Sequence, residues 1–244
     1  MTAPNDSAVA VDLTVGYGDH TVLGPVDFSL QSGVTALLGR NGSGKTTLMR
    51  TLCGIIPPLG GHCTVLGTEV QDSSPVRSRI GYLGHESALA SALTVQDNLR
   101  FWESVTATYP DVTLLGTQDL VDQFDLGDLL QKKVAQLSRG QRQRVDLARL
   151  AMTDPRFIVL DEPLTGLDPV YAAGTRTLLR RWGEERTVLY STHSVPEALE
   201  IAGRFLVVSG TRLVSIGADG DGTDDTDGTD VTERTILEAL EATP

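Results

Sequence analysis

A run of apolar residues at positions 34–38 leads directly into a glycine-rich segment, residues 39–44. The stretch that follows, residues 45–53, carries apolar side chains at helical spacing. This order predicts a buried strand, a tight loop and a helix in immediate succession. Strands that alternate with helices favour a largely parallel sheet covered on both faces, so the chain is predicted to adopt an α/β fold.

The glycine-rich segment and the two residues after it fit the pattern G-x-x-x-x-G-K-[ST] without departure. Its glycines let backbone N–H groups approach phosphate oxygens, and the helix that follows points its positive end at them. Lys45 is expected to neutralise β- and γ-phosphate charge, and Thr46 to coordinate Mg²⁺. The residues predicted to bind nucleotide are Gly39, Arg40, Asn41, Gly42, Ser43, Gly44, Lys45, Thr46 and Thr47.

Lysine usage supports this interpretation. Lys45 is the only lysine before Lys132, and most of the basic residues of this chain are arginines. A compact ammonium group suits a phosphate site, so a lysine at this position favours phosphate binding over a chance match to the motif. The loop by itself indicates a P-loop nucleotide-binding protein, a class that also includes kinases, GTPases and motors.

The rest of the chain continues the alternation of strands and helices. Residues 94–152 are mainly helical in pattern, with Thr94 as N-cap and interruptions near Pro110 and Gly127, and we interpret residues 87–150 as an inserted helical subdomain. The other predicted elements are strands at 8–15, 21–30, 79–83, 157–160 and 187–190, a strand pair ending near Val70, helices at 170–182, 195–201 and 231–242, and a hairpin around Ser209 and Gly210.

Composition narrows the function classes. The net charge is −12, which argues against nucleic acid and against direct adhesion to an anionic membrane. No stretch approaches the roughly 20 apolar residues that span a bilayer, and the N-terminus lacks a signal-peptide pattern. Cys53 and Cys63 indicate a reduced, cytoplasmic protein. Residues 218–230, almost all Asp, Gly and Thr, are expected to be a solvated flexible loop without a calcium-loop spacing.

Further motifs identify a family. The segment 137–141 reads LSRGQ and resembles the signature of ABC transporter ATPases, usually LSGGQ. Residues 158–163 resemble the family's Walker B strand, 164–168 its D-loop and 191–193 its switch-histidine segment. The resemblance covers nearly the whole chain as a single ABC ATPase domain, 1–244. It implies a P-loop NTPase core with a mainly parallel sheet, an N-terminal antiparallel β subdomain, an inserted helical subdomain and a C-terminal helix at 231–244.

The resemblance also implies residue roles, with ATP and Mg²⁺ as cofactors. Asp161 holds Mg²⁺ through a water, Glu162 orients or deprotonates the attacking water, and Lys45 and His193 complete the catalytic set. Because neighbouring strand residues face opposite sides, the strand must end near Pro163 for both carboxylates to reach one nucleotide. The remaining implied nucleotide contacts are Tyr17, stacked on adenine, and, from an opposite subunit, Ser138, Gly140, Gln141 and Asp168.

Two positions depart from the family pattern. Arg139 replaces a glycine of the signature, and its guanidinium is open to three roles: contact with phosphate, contact with a partner domain, or simple exposure. In the Q-loop, His85 stands where a glutamine normally senses Mg²⁺, and we predict that it contacts nucleotide or metal. Glu86 is the alternative if the register shifts by one residue.

The resemblance implies partners as well. One set of motifs requires a second ATPase subunit, either a copy or a paired relative, and an integral membrane permease that keeps the chain peripheral at the inner face of the membrane. Gly84-His85 and the segment 98–101 resemble haem-exporter and ABC-2-type exporter subunits, and no long C-terminal regulatory domain is expected, so export is favoured. The alternative is a soluble ABC ATPase with a non-transport assembly role.

Overall fold

The computed structural model describes residues 6–72, 76–109, 114–217 and 231–241. Its strands are β1 (Asp6–Tyr17), β2 (His20–Gln31), β3 (Gly33–Gly39), β4 (Gly60–Val65), β5 (Thr68–Glu69), β6 (Ile80–Leu83), β7 (Phe157–Leu160), β8 (Thr187–Thr192), β9 (Arg204–Ser209) and β10 (Arg212–Gly217). Its helices are α1 (Lys45–Leu52), α2 (Val95–Thr106), α3 (Thr117–Gln123), α4 (Arg139–Ala151), α5 (Pro169–Gly183), α6 (Val195–Ile201) and α7 (Glu233–Glu241).

The strands form two sheets. Strands β1, β2, β4 and β5 make an antiparallel sheet in the order β2-β1-β4-β5. The other six have the order β10-β9-β3-β8-β7-β6, parallel throughout except for the antiparallel edge strand β10. The expected α/β class, with a mainly parallel core and an N-terminal antiparallel sheet, is therefore confirmed.

Two hydrophobic cores cover the parallel sheet, one on each face. Alternate residues of β3 show the division, since Leu37 packs with α1 and the antiparallel sheet, whereas Ala36 and Leu38 pack with the helices of the opposite face. All three are fully buried, and burying a side chain such as Leu37 contributes about 2 kcal/mol. The carboxyl ends of the central strands are thus held rigidly.

The helical region between β6 and β7 contains α2, α3 and α4. Thr94 is the N-cap of α2, as predicted, because its hydroxyl accepts the N–H of Asp97 at 3.1 Å. Residues 84–93 form turns and bends, so the helices begin later than position 87. Helix α4 joins this region to the parallel sheet through Arg149, whose guanidinium donates to the carbonyl of Tyr82 at 3.4 Å.

Most predicted elements lie within a few residues of the observed ones. The predicted C-terminal helix appears as α7. Its Ile236 side chain is buried in the same core as Ala36 and Leu38. The acidic tract 218–230 and Pro110 lie outside the described residues. Among the residues that are described, no helix is both long and apolar enough to cross a membrane.

Candidate nucleotide site

The loop between β3 and α1 folds around its own lysine. The Lys45 ammonium donates to the carbonyls of Gly39 at 2.7 Å and Arg40 at 3.0 Å. The Lys45 side chain is buried, and burial lowers its pKa, whereas the carboxylates of Glu162 and Asp161 raise it. These carbonyls therefore hold the ammonium at the point where the strand ends and the loop begins.

Glycine is required in this loop for backbone reasons. Gly42 and Gly44 have φ values of 79° and 97°, in the left-handed region where other residues are strained. A Cβ on Gly39 would lie 2.6 Å from the hydroxyl oxygen of Ser43. Gly44 is the N-cap of α1 and provides no side-chain hydrogen bond to the helix, so no cap group competes with an anion there.

A cleft of about 370 Å³ opens beside this loop. Its walls combine the backbone of the phosphate loop with two carboxylates from the end of β7. Its lining residues are Val22, Asn41, Gly42, Ser43, Gly44, Lys45, Thr46, Thr47, Asp161 and Glu162. The structure therefore brings the phosphate loop and the acidic pair together at one cleft, although Thr46 and Asp161 are 115 positions apart in the sequence.

Asp161 is held by hydroxyl groups from two other elements. Thr46 Oγ1 donates to its Oδ2 at 2.7 Å, and Ser191 Oγ donates to its Oδ1 at 2.6 Å. Asp161 is buried at the end of β7. A carboxylate and a hydroxyl in contact at a phosphate cleft are the oxygen donors that Mg²⁺ prefers, so Thr46 and Asp161 fit a magnesium site.

Glu162 lies immediately past the strand in an unusual conformation. Strand β7 ends at Leu160, as the position of Pro163 predicted, and Glu162 has a φ of 50°. Its N–H donates to Ser191 Oγ at 2.8 Å, and its Oε2 accepts from the hydroxyl of Thr165 at 3.1 Å. The turn brings both carboxylates to the same cleft, which two successive residues of a regular strand do not achieve.

His193 approaches the same carboxylate from the end of β8. Its Nδ1 lies 3.8 Å from Glu162 Oε1, and the imidazole is 59% exposed. The structure therefore brings His193 close to Glu162, a residue that lines the cleft. The exposed ring remains available to a ligand that enters from solvent.

The signature segment lies at the start of α4. Ser138 caps this helix, because its hydroxyl accepts the N–H of Gln141 at 3.2 Å while the Gln141 side chain accepts the N–H of Ser138 at 3.0 Å. Gly140 is packed against Tyr171, and a Cβ there would lie 2.4 Å from the ring. None of the described residues that line the phosphate cleft belongs to the signature segment. Ser138 is exposed, so a second molecule can reach it.

Arg139 contacts the D-loop of its own chain. A Cβ built on Gly166 would lie 2.9 to 3.1 Å from Nη1, Cζ and Nε of Arg139, so the guanidinium lies against the glycine backbone. Gly166 has a φ of 72°, and Asp168, two residues further, caps α5 through the N–H groups of Val170 and Tyr171. The sequence left the role of Arg139 open, and the contact with Gly166 has no signal in the linear motif.

His85 lies in a second cleft, which has a volume of about 290 Å³. Arg139, Arg142 and Gln143 of α4 also line this cleft. Asp146 is buried there, and burial raises its pKa against the opposing effects of Ser87 and of Arg149. The described residues of the phosphate cleft do not include His85, so its contact with nucleotide or metal stays a prediction.

Tyr17 ends β1 and is 49% exposed. The nearby Arg50 guanidinium interacts with the phenols of Tyr82 and Tyr17, and these interactions raise the pKa of Arg50. Tyr17 does not line the described part of the phosphate cleft. Its exposed ring is available to stack on a base, which stays a prediction.

The fold and the cleft define a P-loop nucleotide-binding domain. The ABC transporter family profile matches residues 23–165, which is more than half of the chain. The chain therefore belongs to the ABC transporter family.

Curated relatives support this assignment. A sulfate/thiosulfate import ATP-binding protein from Mycobacterium bovis is 37% identical over 216 residues, 87% of this chain and 62% of the relative. A daunorubicin resistance ATP-binding protein from Streptomyces coeruleorubidus is 37% identical over 216 residues, 87% of this chain and 68% of that protein. The chain thus spans less than two thirds of the length of the import protein.

The fold also matches a solved structure. That structure is a dimeric, post-hydrolysis state of an ATP-binding cassette bound to ADP and phosphate. It has a TM-score of 0.75 and 20% sequence identity, and the match covers 88% of this chain and 100% of that one. This likeness concerns the fold.

Proposed function

We propose that this chain binds and hydrolyses MgATP as the ATP-binding subunit of an ABC transporter. The observation that carries the proposal is the convergence of Lys45, Thr46, Asp161 and Glu162 on one cleft. The phosphate loop supplies cationic and N–H groups on one side, and the end of β7 supplies the carboxylates on the other. Such an arrangement is suited to phosphoryl transfer to water.

ATP binds with its phosphates on the loop 39–47 and its adenine on the ring of Tyr17. Lys45 offsets the charge of the β- and γ-phosphates, and the first turn of α1 presents N–H groups to them. Thr46 and Asp161 hold Mg²⁺, which when bound neutralises charge that develops on the phosphate oxygens. His85 contributes a further contact to nucleotide or metal when the second cleft closes on the first.

Glu162 orients the attacking water and accepts its proton. Its carboxylate lies in the phosphate cleft, and Thr165 fixes one of its two oxygens. His193 lies beside the other oxygen and contacts the γ-phosphate. The proposed general-base role requires a carboxylate at this position, because an amide of the same shape accepts no proton at neutral pH.

A second ATPase subunit completes the site. Ser138 is exposed and does not line the phosphate cleft of its own chain, so a second subunit can reach its hydroxyl. The N–H of Gly140 lies in the first turn of the same helix. We propose that these groups, with Gln141 and Asp168, contact the γ-phosphate held by a second copy or a paired relative. The dimeric cassette of similar fold supports this arrangement.

A separate membrane-spanning permease couples hydrolysis to transport, and the chain is peripheral at the cytoplasmic face through that permease. We propose export as the direction, on the basis of the resemblance of Gly84-His85 and the segment 98–101 to exporter subunits. One relative is named for daunorubicin resistance. The sulfate/thiosulfate relative is named for import. Direction is tested with ATP outside inverted membrane vesicles, where an export system accumulates its cargo and an import system does not.

The test of ATP hydrolysis compares the wild type with Glu162→Gln and with Glu184→Gln, which changes an exposed glutamate at the end of α5. Turnover is expected in the wild type and in Glu184→Gln, and a loss of about 10²-fold or more in Glu162→Gln. Size exclusion in MgATP is expected to show a trapped dimer for Glu162→Gln. Failure of the wild type to bind ATP contradicts the proposal, and full turnover in Glu162→Gln contradicts the role of Glu162.

A further inference from the structure

Ser191 is a fully buried hydroxyl that contacts both acidic residues of the cleft. Its Oγ donates to Asp161 Oδ1 at 2.6 Å and accepts the backbone N–H of Glu162 at 2.8 Å. Its residue surface is 0% exposed. The sequence motifs include this serine beside the switch histidine but assign it no role.

The register of the parallel sheet explains the contact. Leu160, the last residue of β7, is paired with Tyr190 of β8, so the next residue on each strand brings Asp161 beside Ser191. On its other side, Ser191 is paired with Leu37 of β3. The hydroxyl is therefore fixed on a strand that has neighbours on both sides, and it cannot follow a movement of the loop after β7.

The one proton of this hydroxyl is committed to Asp161. A serine has one proton to donate, and here the proton goes to Asp161, while a lone pair accepts from Glu162. The second oxygen of Asp161 accepts from Thr46. Both oxygens of Asp161 are thus fixed in direction, one by a group that is a candidate metal ligand and the other by Ser191.

The same hydroxyl holds the turn at Glu162. A φ of 50° is uncommon for a residue with a side chain and persists where surrounding contacts determine it. The bond from the Glu162 N–H to Ser191 is one such contact, and it lies at the residue whose carboxylate must face the attacking water. Loss of this bond frees the turn and the carboxylate together.

We propose that Ser191 is a positioning residue that orients Asp161 toward Mg²⁺ and Glu162 toward the attacking water. The inference rests on the proposed ATPase function. Hydrogen-bonding groups behind a metal ligand typically change metal affinity or activity by about 10–100-fold when they are removed. A serine that merely fills space in the core has no such effect on the metal.

The test compares Ser191→Ala with Thr187→Val. Thr187 lies on the same strand, is 1% exposed and donates its hydroxyl to Ser7 at 2.7 Å, away from both carboxylates. Each variant thus loses one buried hydroxyl from β8. For both, thermal unfolding, ATP affinity in EDTA, ATP affinity as a function of Mg²⁺ and steady-state turnover are measured.

Ser191→Ala is expected to keep its ATP affinity in EDTA, to need about 10–100-fold more Mg²⁺ for tight binding, and to lose turnover by a similar factor. Thr187→Val is expected to unfold at a lower temperature without any change in Mg²⁺ requirement. Wild-type Mg²⁺ dependence in Ser191→Ala overturns the inference and leaves the ATPase proposal standing. A wild type that neither binds nor hydrolyses ATP overturns the ATPase proposal itself.

Discussion

The hydroxyl of Thr46 lies 2.7 Å from Asp161 Oδ2, and this hydrogen bond joins the first turn of α1 to the end of β7. Two elements that are far apart in the sequence thereby meet at a single pair of oxygen atoms. The phosphate loop and the carboxylate of Asp161 are therefore joined directly by this hydrogen bond.

Replacement of Thr46 by alanine removes both a candidate metal ligand and the partner of Asp161. The Mg²⁺ concentration for half-maximal turnover is expected to rise by about tenfold or more, because the remaining donor is no longer held in place. Thr46→Ser, which retains the hydroxyl, is the control and is expected to stay near the wild type. An unchanged Mg²⁺ titration for Thr46→Ala contradicts the proposed metal site.

Tyr17 is expected to set the preference for the base. Tyr17→Ala is expected to weaken ATP binding by about 1 kcal/mol, or about fivefold, because the adenine loses its aromatic neighbour. Tyr17→Phe keeps the ring and is expected to bind nearly as the wild type does. Binding of inorganic triphosphate, which has no base, is the further control and is expected to be equal in all three proteins. Equal ATP affinities for Tyr17→Ala and the wild type rule out stacking.

Arg139 and Gly166 are expected to be energetically coupled. Gly166→Ala introduces a Cβ at a φ of 72° and forces the guanidinium away, so it destabilises the chain through both effects. In an Arg139→Ala background, only the backbone effect remains. A double-mutant cycle by denaturant unfolding is expected to give a coupling free energy of about 0.5–1 kcal/mol. Strict additivity of the two substitutions shows that the contact does not form in solution.

The two cysteines are expected to be unreactive in the folded protein. Burial raises the pKa of Cys63 to about 12, with a smaller contribution from Glu69, and burial also raises the pKa of Cys53. At pH 8 only about one in 10⁴ of the Cys63 thiols is ionised, since a thiolate forms mainly above the pKa.

The measurement is labelling with a thiol-specific disulfide reagent, with and without denaturant. Native labelling is expected to be slower than unfolded labelling by on the order of 10³-fold, and its rate to increase as the pH rises toward 12. Labelling of two thiols is expected after unfolding, since both are free. A thiol that reacts rapidly in the native protein at pH 8 contradicts the burial of these residues.

Much of the fold was predictable because local pattern and sheet position agree. The apolar run that ends at Gly39, the capping threonine at position 94 and the end of β7 before Pro163 are local signals that the structure retains. The motifs that contain Lys45 and Asp161 predicted a shared site, and the structure places both residues at one cleft.

Contacts that depend on strand register were not predictable from the sequence. The Ser191 hydroxyl reaches Asp161 because Leu160 pairs with Tyr190, and no property of serine in the linear motif indicates that pairing. The contact between Arg139 and Gly166 depends on how α4 lies against the D-loop, which is a tertiary relationship. His85 lines the second cleft and not the phosphate cleft, and its contact with nucleotide or metal stays a prediction.

The left-handed backbone at Glu162 places the stability of the fold and the proposed catalytic role in conflict at one residue. Glycine relieves the backbone conformation there but removes the carboxylate, and a glutamate codon becomes a glycine codon through a single base change. Selection of Glu162 variants for heat resistance alone is therefore expected to enrich chains that fold and bind ATP but do not hydrolyse it. Under the proposed function, a selection that requires ATP hydrolysis is what retains the glutamate.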